Sequence, residues 1–228
     1  MLLMRPLPRF AWSLSAEQQP RAMTELSGTP QATVLVIACG ALAHEITWLQ
    51  KVNGWGHMDL QCLDAELHNK PKLIADKLRA KIDQNRGLYP HIFVGYADCG
   101  SGGDIDRVIE QEGLERLPGA HCYSFYAGEQ RFNQLAEQEL GSFYLTDFLV
   151  EHFERLMIKG LKLDRYPELR DQYFANYHRV VYLSQREDPQ LVAKARQAAE
   201  FLDLAFCHEH CGYGDLESGL QEQVLKFS

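Results

Sequence analysis

The chain has 228 residues, of which 46% are hydrophobic and 24% are charged, and its formal net charge is -8 at pH 7. This length and apolar fraction suffice for one sizeable core, while the acidic balance argues against nucleic acid or an anionic membrane surface as the main partner. No segment reaches the run of about 18 apolar residues that a membrane-spanning helix needs. The six cysteines are too sparse for a small disulfide scaffold, so we expect a reducing compartment, the cytoplasm.

The first 30 residues are expected to form a flexible extension. Their apolar residues are interrupted by Arg5, Pro6, Pro8 and Arg9, and a secretory signal would need a continuous apolar stretch. No linker rich in Gly, Ser or Pro divides the remainder. We therefore predict a single α/β domain over residues 31–228.

Hydrophobic spacing predicts alternating strands and helices along this domain. Strands are predicted at 33–38, 57–63, 92–96, 120–125, 143–145, 180–183 and 205–207. Helices are predicted near 42–49, 71–82, 105–112, 129–139, 148–157, 168–176, 189–202 and 215–225, with Asn69 as the cap of the second and Thr146 or Asp147 as the cap of the fifth. This alternation indicates a mostly parallel sheet of about five or six strands flanked by helices.

Soft metal ligands follow four of the predicted strands. Cys39 and Cys99 lie just past strand ends, His68 lies in the loop after the second strand, and Cys122 lies in the fourth strand or at its rim. A parallel sheet brings such carboxyl ends to one edge, where ligands bind. Three thiolates and one imidazole suit zinc, an iron–sulfur cluster or another thiophilic ion. A metal-free pocket with one reactive cysteine, or cysteines that only pack in the core, are the alternatives.

Glycines accompany two of these cysteines and can serve a cofactor. Gly40 and Gly100 allow a tight turn or the close approach of a ligand. Gly102 and Gly103 precede a helix, where backbone amides can hold an anion, although a plain turn is the alternative. The segment lacks the Gly-Lys-Ser/Thr of a phosphate-binding loop.

Other polar and aromatic residues surround the predicted site. Glu45 and Asp98 are candidates for acid/base work or for orienting the ligands. His121 is a further candidate as a metal ligand or for acid/base work. Tyr123 belongs to a group of aromatic residues that can form core or the apolar wall of a binding site for an organic cofactor or substrate.

The C-terminal segment CHEHCGYGD contains Cys207, His208, His210 and Cys211 within five residues. It can form a metal site of its own, a solvated turn, or a lid over the main site. No second pair follows at zinc-finger spacing.

Five segments in order resemble one protein family. They are ACGAL (38–42), LHNKP (67–71), DCGSGG (98–103), HC (121–122) and FYLTDF (143–148). Over residues 32–217 the chain resembles the bacterial and archaeal family called domain of unknown function 1638, whose members are often encoded beside corrinoid-dependent methyltransferases. The residues that fit the family pattern are Cys39, His68, Cys99 and Cys122, with Glu45 and His121 beside them.

The resemblance implies a role near one-carbon metabolism. We expect a Cys/His-ligated metal-binding protein that is a metal-dependent methyltransferase or an accessory enzyme. Its partners would be a small-molecule substrate and a corrinoid protein or methyltransferase. Two alternatives are an iron–sulfur or corrinoid-binding module without turnover and a metal-free cysteine enzyme with Cys99 as nucleophile. Whether the protein is an enzyme is left open by the sequence.

Overall fold

The computed structural model describes residues 32–227, so the extension expected over residues 1–30 lies outside the described part of the chain. The segment Ala32–Ser228 belongs to one compact unit. Within the described residues, seven strands form two parallel sheets. The strands are β1 (Val34–Cys39), β2 (Met58–Leu63), β3 (His91–Gly95), β4 (Glu115–Arg116), β5 (Ser142–Thr146), β6 (Arg179–Ser184) and β7 (Ala205–His210).

Helices connect the strands. The α-helices are α1 (Ala43–Val52), α2 (Ile74–Asn85), α3 (Asp104–Glu112), α4 (Tyr123–Ala127), α5 (Glu129–Gln138), α6 (Asp147–Glu151), α7 (Leu169–Tyr173), α8 (Pro189–Leu202) and α9 (Gly214–Lys226). Short 3₁₀ helices span Gly40–Leu42, Ala65–Asn69 and Pro71–Leu73, and a π-helix spans Glu154–Lys159. None of the helices in residues 32–227 is long and apolar enough to cross a membrane.

The first sheet has the strand order β2-β1-β3-β4. All six residues of β1 are buried, so both faces of this central strand are covered, as its continuous apolar sequence predicts. Val34 pairs in parallel with Met58 of β2 and with His91 of β3. The carboxyl ends of β1, β2 and β3 therefore lie side by side.

The second sheet has the order β5-β6-β7, again parallel. Its central strand β6 pairs Val181 with Tyr144 on one side and with Cys207 on the other. Side chains of this sheet and of α6 and α8 form a hydrophobic core of their own, separate from the core around β1. The described residues thus contain two small parallel sheets, each with its own core.

The predicted α/β class with parallel strands is confirmed, but the strands are divided between two sheets. The predicted strand at 120–125 is wrong, because this segment turns and enters α4. Gly119 has a φ of +108°, and the amide of Ser124 donates to the carbonyl of His121 at 3.1 Å, which begins a helical turn. Aromatic residues favour strands, but here burial of the adjacent Phe125 and Tyr126 on a helix prevails.

The helix predicted at 148–157 is interrupted. The amide of Leu149 donates to the Thr146 hydroxyl at 3.4 Å, so Thr146 caps α6 as expected. That helix ends at Glu151, and the following turns are the π-helix Glu154–Lys159. Such wide turns release backbone groups from their usual partners and often occur at functional sites.

Candidate functional site

The four predicted metal ligands line one cavity at the carboxyl edge of the first sheet. Cys39 ends β1, His68 lies in the 3₁₀ helix after β2, Cys99 lies in the loop after β3, and Cys122 directly precedes α4. We call this cavity of about 30 Å³ the inner chamber. Its walls also include Tyr96, Tyr123, Tyr126 and aliphatic side chains. The fold therefore gathers donors that are tens of residues apart in the sequence.

A glycine allows the backbone after Cys39 to turn against the neighbouring loop. A Cβ atom at Gly40 would lie 2.8 Å from the carbonyl oxygen of Leu63 and 3.1 Å from the amide nitrogen of Ala65. Side chains do not tolerate a 2.8 Å contact with backbone, so Gly40 permits the loop that carries His68 to pass close to β1. Its predicted contact with a cofactor stays a prediction.

Cys99 has an unusual backbone conformation in the loop after β3. Its φ is +50°, a left-handed value that is uncommon for residues other than glycine, and Gly100 follows with a φ of +77°. Its amide donates to the carbonyl of Ala120 at 2.9 Å, which ties the loop to the segment before Cys122. Strained residues of this kind cluster at functional sites.

Asp98 organises the same loop. Its carboxylate accepts hydrogen bonds from the Ser101 hydroxyl at 2.8 Å and from the amides of Gly103 at 2.7 Å and Gly102 at 3.3 Å. Partial burial opposes ionisation of this group, but the hydrogen bonds outweigh it and lower the pKa of Asp98. The amides predicted to hold an anion thus already bind a carboxylate of the chain. The acid/base role of Asp98 stays a prediction without support from this geometry.

The thiols of the inner chamber differ in their electrostatic environment. Burial raises the pKa of Cys39, which is 8% exposed, to about 11. Cys99 and Cys122 are joined by a hydrogen bond between their side chains. The interaction between the two side chains lowers the pKa of Cys99 and raises the pKa of Cys122, and burial raises the pKa of Cys122 further. Cys99 is therefore the thiolate that forms most readily among the three.

His68 is held in its neutral form. Burial lowers the pKa of its imidazole, and the nearby His121 lowers it further. The Tyr123 hydroxyl lies 3.5 Å from Nε2 of His68. A neutral imidazole is the form that binds metals. His121 itself is exposed and does not line the inner chamber.

Two tyrosine hydroxyls in the walls of the chamber lack ordinary hydrogen bonds. The hydroxyls of Tyr96 and Tyr126 are buried, and neither has a partner of normal geometry among the described residues. The Tyr96 hydroxyl faces the Cys39 thiol. Buried polar atoms are rarely left unpaired in native proteins, and an ion or water is a common explanation. Sequence reasoning missed Tyr96, which reads as a residue of a core strand.

The donors share a cavity, but they do not form a ready coordination sphere. Among residues 32–227, no three His, Cys, Asp or Glu side chains stand close enough together to hold a metal ion as they are oriented. Binding of an ion by the four predicted ligands requires their side chains to turn toward a common centre. The types of donor and their shared cavity therefore suit a soft metal. The side-chain rotamers in this structure do not place the donors around one point.

The π-helix anchors the loop that carries His68. The side-chain amide of Asn69 donates to the carbonyl oxygen of Leu156 at 2.6 Å. Arg155 lies 3.5 Å from Glu66 in the same loop. The prediction that Asn69 caps the following helix is wrong, because its side chain reaches across the protein to this carbonyl instead.

Glu45 lies apart from the inner chamber. It is 4% exposed, and its Oε2 atom has no hydrogen-bond partner among the described residues. Burial, aided by the negative charge of Asp147, raises its pKa to about 7. Asp147 itself accepts hydrogen bonds from the Tyr182 hydroxyl at 2.6 Å and from Arg186 at 3.1 Å. A pKa near neutrality suits acid/base work, but Glu45 is not among the residues that line the chamber.

A second cavity adjoins the chamber, and we call it the outer pocket. It has a volume of about 450 Å³ and shares His68, Cys99, Cys122 and Tyr123 with the inner chamber. These shared residues form the partition between the two cavities. His121 and Gly100 line the outer pocket, together with aromatic rings from the start of the second sheet. The aromatic wall predicted around Tyr123 thus faces this pocket, and Phe132 and Tyr177 extend it.

The C-terminal Cys/His cluster belongs to a strand. β7 continues through His210, where a short strand and a turn or lid were expected. The Ser184 hydroxyl lies 2.9 Å from Nε2 of His208 and 3.0 Å from Nδ1 of His210. The imidazoles of His208 and His210 therefore take part in hydrogen bonds between β7 and β6 at the edge of the second sheet.

Comparison with known proteins gives one match. A family model described as "Protein of unknown function (DUF1638)" matches residues 62–220, a span that includes His68, Cys99 and Cys122 but begins after Cys39. No curated protein and no solved structure matched the chain.

Proposed function

The chain belongs to the DUF1638 family of proteins of unknown function, and we propose that it binds one soft metal ion in the inner chamber through Cys39, Cys99, Cys122 and His68. The observation that carries this proposal is that four soft donors from four separate segments line one buried cavity. Thiolates and imidazole together select zinc or a similar thiophilic ion.

The size of the chamber favours a single ion over the other cofactors that the sequence suggested. A volume of about 30 Å³ corresponds to roughly one or two water molecules. A single ion fits this space, whereas a corrinoid is much larger than the chamber. Zinc is therefore the preferred occupant of this proposal.

The residues around the ion would control its reactivity. The aliphatic and tyrosine walls leave room for only about one or two water molecules, and neutral His68 has a lone pair available. Where one of the four side chains leaves a coordination position open, a bound zinc ion would act as a Lewis acid that activates a thiol or water or polarises a carbonyl. Cys99 and Cys122 belong to the partition between the two cavities, so an ion bound to them would lie next to a small-molecule substrate in the outer pocket.

We infer the biological setting from the family resemblance. Proximity to corrinoid-dependent methyltransferases supports a role in one-carbon metabolism, as a methyltransferase or as an accessory protein with a corrinoid protein or methyltransferase as partner. The cysteines of the described residues are all free thiols, which supports a reducing compartment such as the cytoplasm.

Elemental analysis tests the metal proposal. The protein would be purified anaerobically without added metals, and its metal content and absorption spectrum would be measured. We expect about one equivalent of zinc per chain and no visible absorption band, as for a mononuclear zinc site. Iron with sulfide and a broad visible band, or a protein that retains no metal, would contradict it.

A metal-free cysteine enzyme is the second candidate function. One geometric observation favours it: Cys99, the thiol whose pKa the neighbouring Cys122 lowers, also lines the open outer pocket. A thiolate that is stabilised and reachable can act as a nucleophile. Treatment of metal-free protein with iodoacetamide should then modify Cys99 well before Cys39 or Cys122, and equal modification of the three thiols would exclude this role.

A further inference from the structure

The outer pocket has the walls of a site for an organic ligand. Its volume of about 450 Å³ lies within the range of pockets that hold small molecules. It lies between the loops of the first sheet and the start of β5. Five aromatic side chains line it: Tyr123, Phe132, Phe143, Tyr144 and Tyr177. Leu140, which is 89% exposed, extends the apolar surface at its rim.

The rings form two neighbouring groups. Tyr144 packs on Tyr123 at a centroid distance of 5.4 Å and on Phe132 at 5.0 Å, with interplanar angles of 30° and 44°. On the other side, Phe143 meets Tyr177 edge to face at 5.4 Å. Mutual packing fixes the orientation of these rings, so the walls are ordered before a ligand arrives.

The charge of the lining restricts the chemistry of the occupant. The lining contains thirteen described residues, and none of them is Asp, Glu, Lys or Arg. A phosphate or carboxylate would therefore find no cationic partner in the lining. Its imidazoles, His68 and His121, likewise offer a cation no countercharge.

The expected gain in binding affinity distinguishes a cation from a neutral ring as the occupant of the outer pocket. A cation held only by ring faces gains roughly threefold to thirtyfold in affinity. Burial of a whole aromatic ring, about 150 Å² of apolar surface, gains on the order of several hundredfold. The walls therefore favour an uncharged flat ligand.

We propose that the outer pocket binds a planar, uncharged conjugated ring and holds it against the partition formed by Cys99 and Cys122. The claim that such a ring is the substrate of the metal site rests on the proposed function. The claim that the ring binds depends only on the lining of the outer pocket. The ring stacks on the group of Tyr123, Phe132 and Tyr144, and its exposed edge faces His121 at the rim.

The test uses 2-naphthol, which is neutral at pH 7, titrated calorimetrically into the full-length protein. We expect saturable binding that Phe132→Leu weakens by about five- to tenfold, because leucine keeps the apolar volume but removes the stacking face. The matched control is Tyr173→Leu, since Tyr173 is an exposed aromatic residue on α7 that does not line the pocket. It should leave the affinity unchanged.

Competition and metal removal complete the design. Tetramethylammonium and benzoate should each fail to displace 2-naphthol. Displacement by either ion, equal affinity in the Phe132→Leu protein, or no binding of 2-naphthol would overturn the proposal. Protein treated with a chelator should bind 2-naphthol as well as untreated protein does. Protein that is purified with its metal but does not bind the ring contradicts this inference alone. Protein that is purified without any metal, before chelator treatment, but binds the ring contradicts the metal proposal alone.

Discussion

Asn69 donates a hydrogen bond of 2.6 Å from its side-chain amide to the carbonyl oxygen of Leu156. The two residues are 87 positions apart in the chain. Asn69 directly follows His68, whereas Leu156 lies in the π-helix that follows α6. The contact therefore links a proposed metal ligand to a helical segment that packs against the second sheet.

Replacement of Asn69 by alanine should loosen the His68 loop. The lost hydrogen bond should lower the free energy of unfolding by about 1–2 kcal/mol and weaken zinc binding, because His68 is then held less firmly. Zinc affinity, measured by competition with a chelating dye, and thermal unfolding would show this. Asn133→Ala, at an exposed position on α5, is the matched control and should keep the zinc affinity of the wild type. Unchanged zinc affinity in the Asn69→Ala protein would show that the contact does not position His68.

Serine substitutions test the ligand set. Cys39→Ser, Cys99→Ser and Cys122→Ser should each lower metal content by about tenfold or more, since even residues that only support ligands commonly cost that much. Cys62→Ser is the control, because Cys62 lies in β2 and lines neither cavity. Elemental analysis of the four purified variants gives the answer. Equal occupancy in all four would refute the assignment.

Glu45 should make the stability depend on pH in an uncommon direction. Its pKa is about 7 in the folded protein against an ordinary value of 4.5, so between these pH values the folded state keeps a proton that the unfolded chain has released. The contribution of Glu45 to stability is therefore fully present below pH 4.5 and is lost as pH rises through 7, by about 3 kcal/mol in total.

Glu45→Gln isolates this contribution. Glutamine resembles the protonated carboxyl, so the variant should match the wild type at pH 4.5 and exceed its stability by about 3 kcal/mol at pH 8. Urea unfolding across this range measures the difference. Glu110→Gln, at an exposed position on α3, should keep the pH dependence of the wild type. Parallel curves for the wild type and the Glu45→Gln protein would show that the carboxyl is not desolvated in solution.

Gly40 should not tolerate a side chain. Gly40→Ala places a Cβ atom 2.8 Å from the Leu63 carbonyl oxygen, and the resulting backbone shift should cost about 1–3 kcal/mol of stability. Gly56→Ala is a matched control, because a Cβ atom there meets nothing within 4 Å. Denaturant unfolding of both variants tests the prediction, and equal midpoints would show that the loop yields without cost.

The sequence predicted the elements better than their arrangement. Periodicity identifies β1 and β6 because both are continuous apolar runs buried on two faces. It does not reveal that β4 ends the first sheet after two residues and that β5 starts a second sheet. Strand order depends on contacts between distant segments, which local patterns do not record.

The sequence predicted that four soft donors meet at one edge, but it did not predict the rest of the lining, and Glu45 and Asp98 lie outside that lining. Cys39, His68, Cys99 and Cys122 line one cavity because each follows the end of a strand or precedes a helix at the same edge. The roles of Tyr96 and Asn69 were not predicted. The sequence does not show that a tyrosine after a core strand faces a cavity, or that an asparagine before a helix bonds to a distant carbonyl. The partition between two cavities is a property of side-chain packing alone.

The loop after β3 is complete without any added ion. The Asp98 carboxylate satisfies the amides of Gly102 and Gly103, and β1 and β3 are buried by their own apolar residues. In zinc fingers, by contrast, ion binding supplies the folding energy itself. If the inner chamber binds an ion as proposed, we expect the chain to be folded before it takes up that ion. Chelator-treated and metal-loaded protein should then share one far-ultraviolet circular dichroism spectrum, and the cellular supply of the ion should leave the abundance of the protein unchanged.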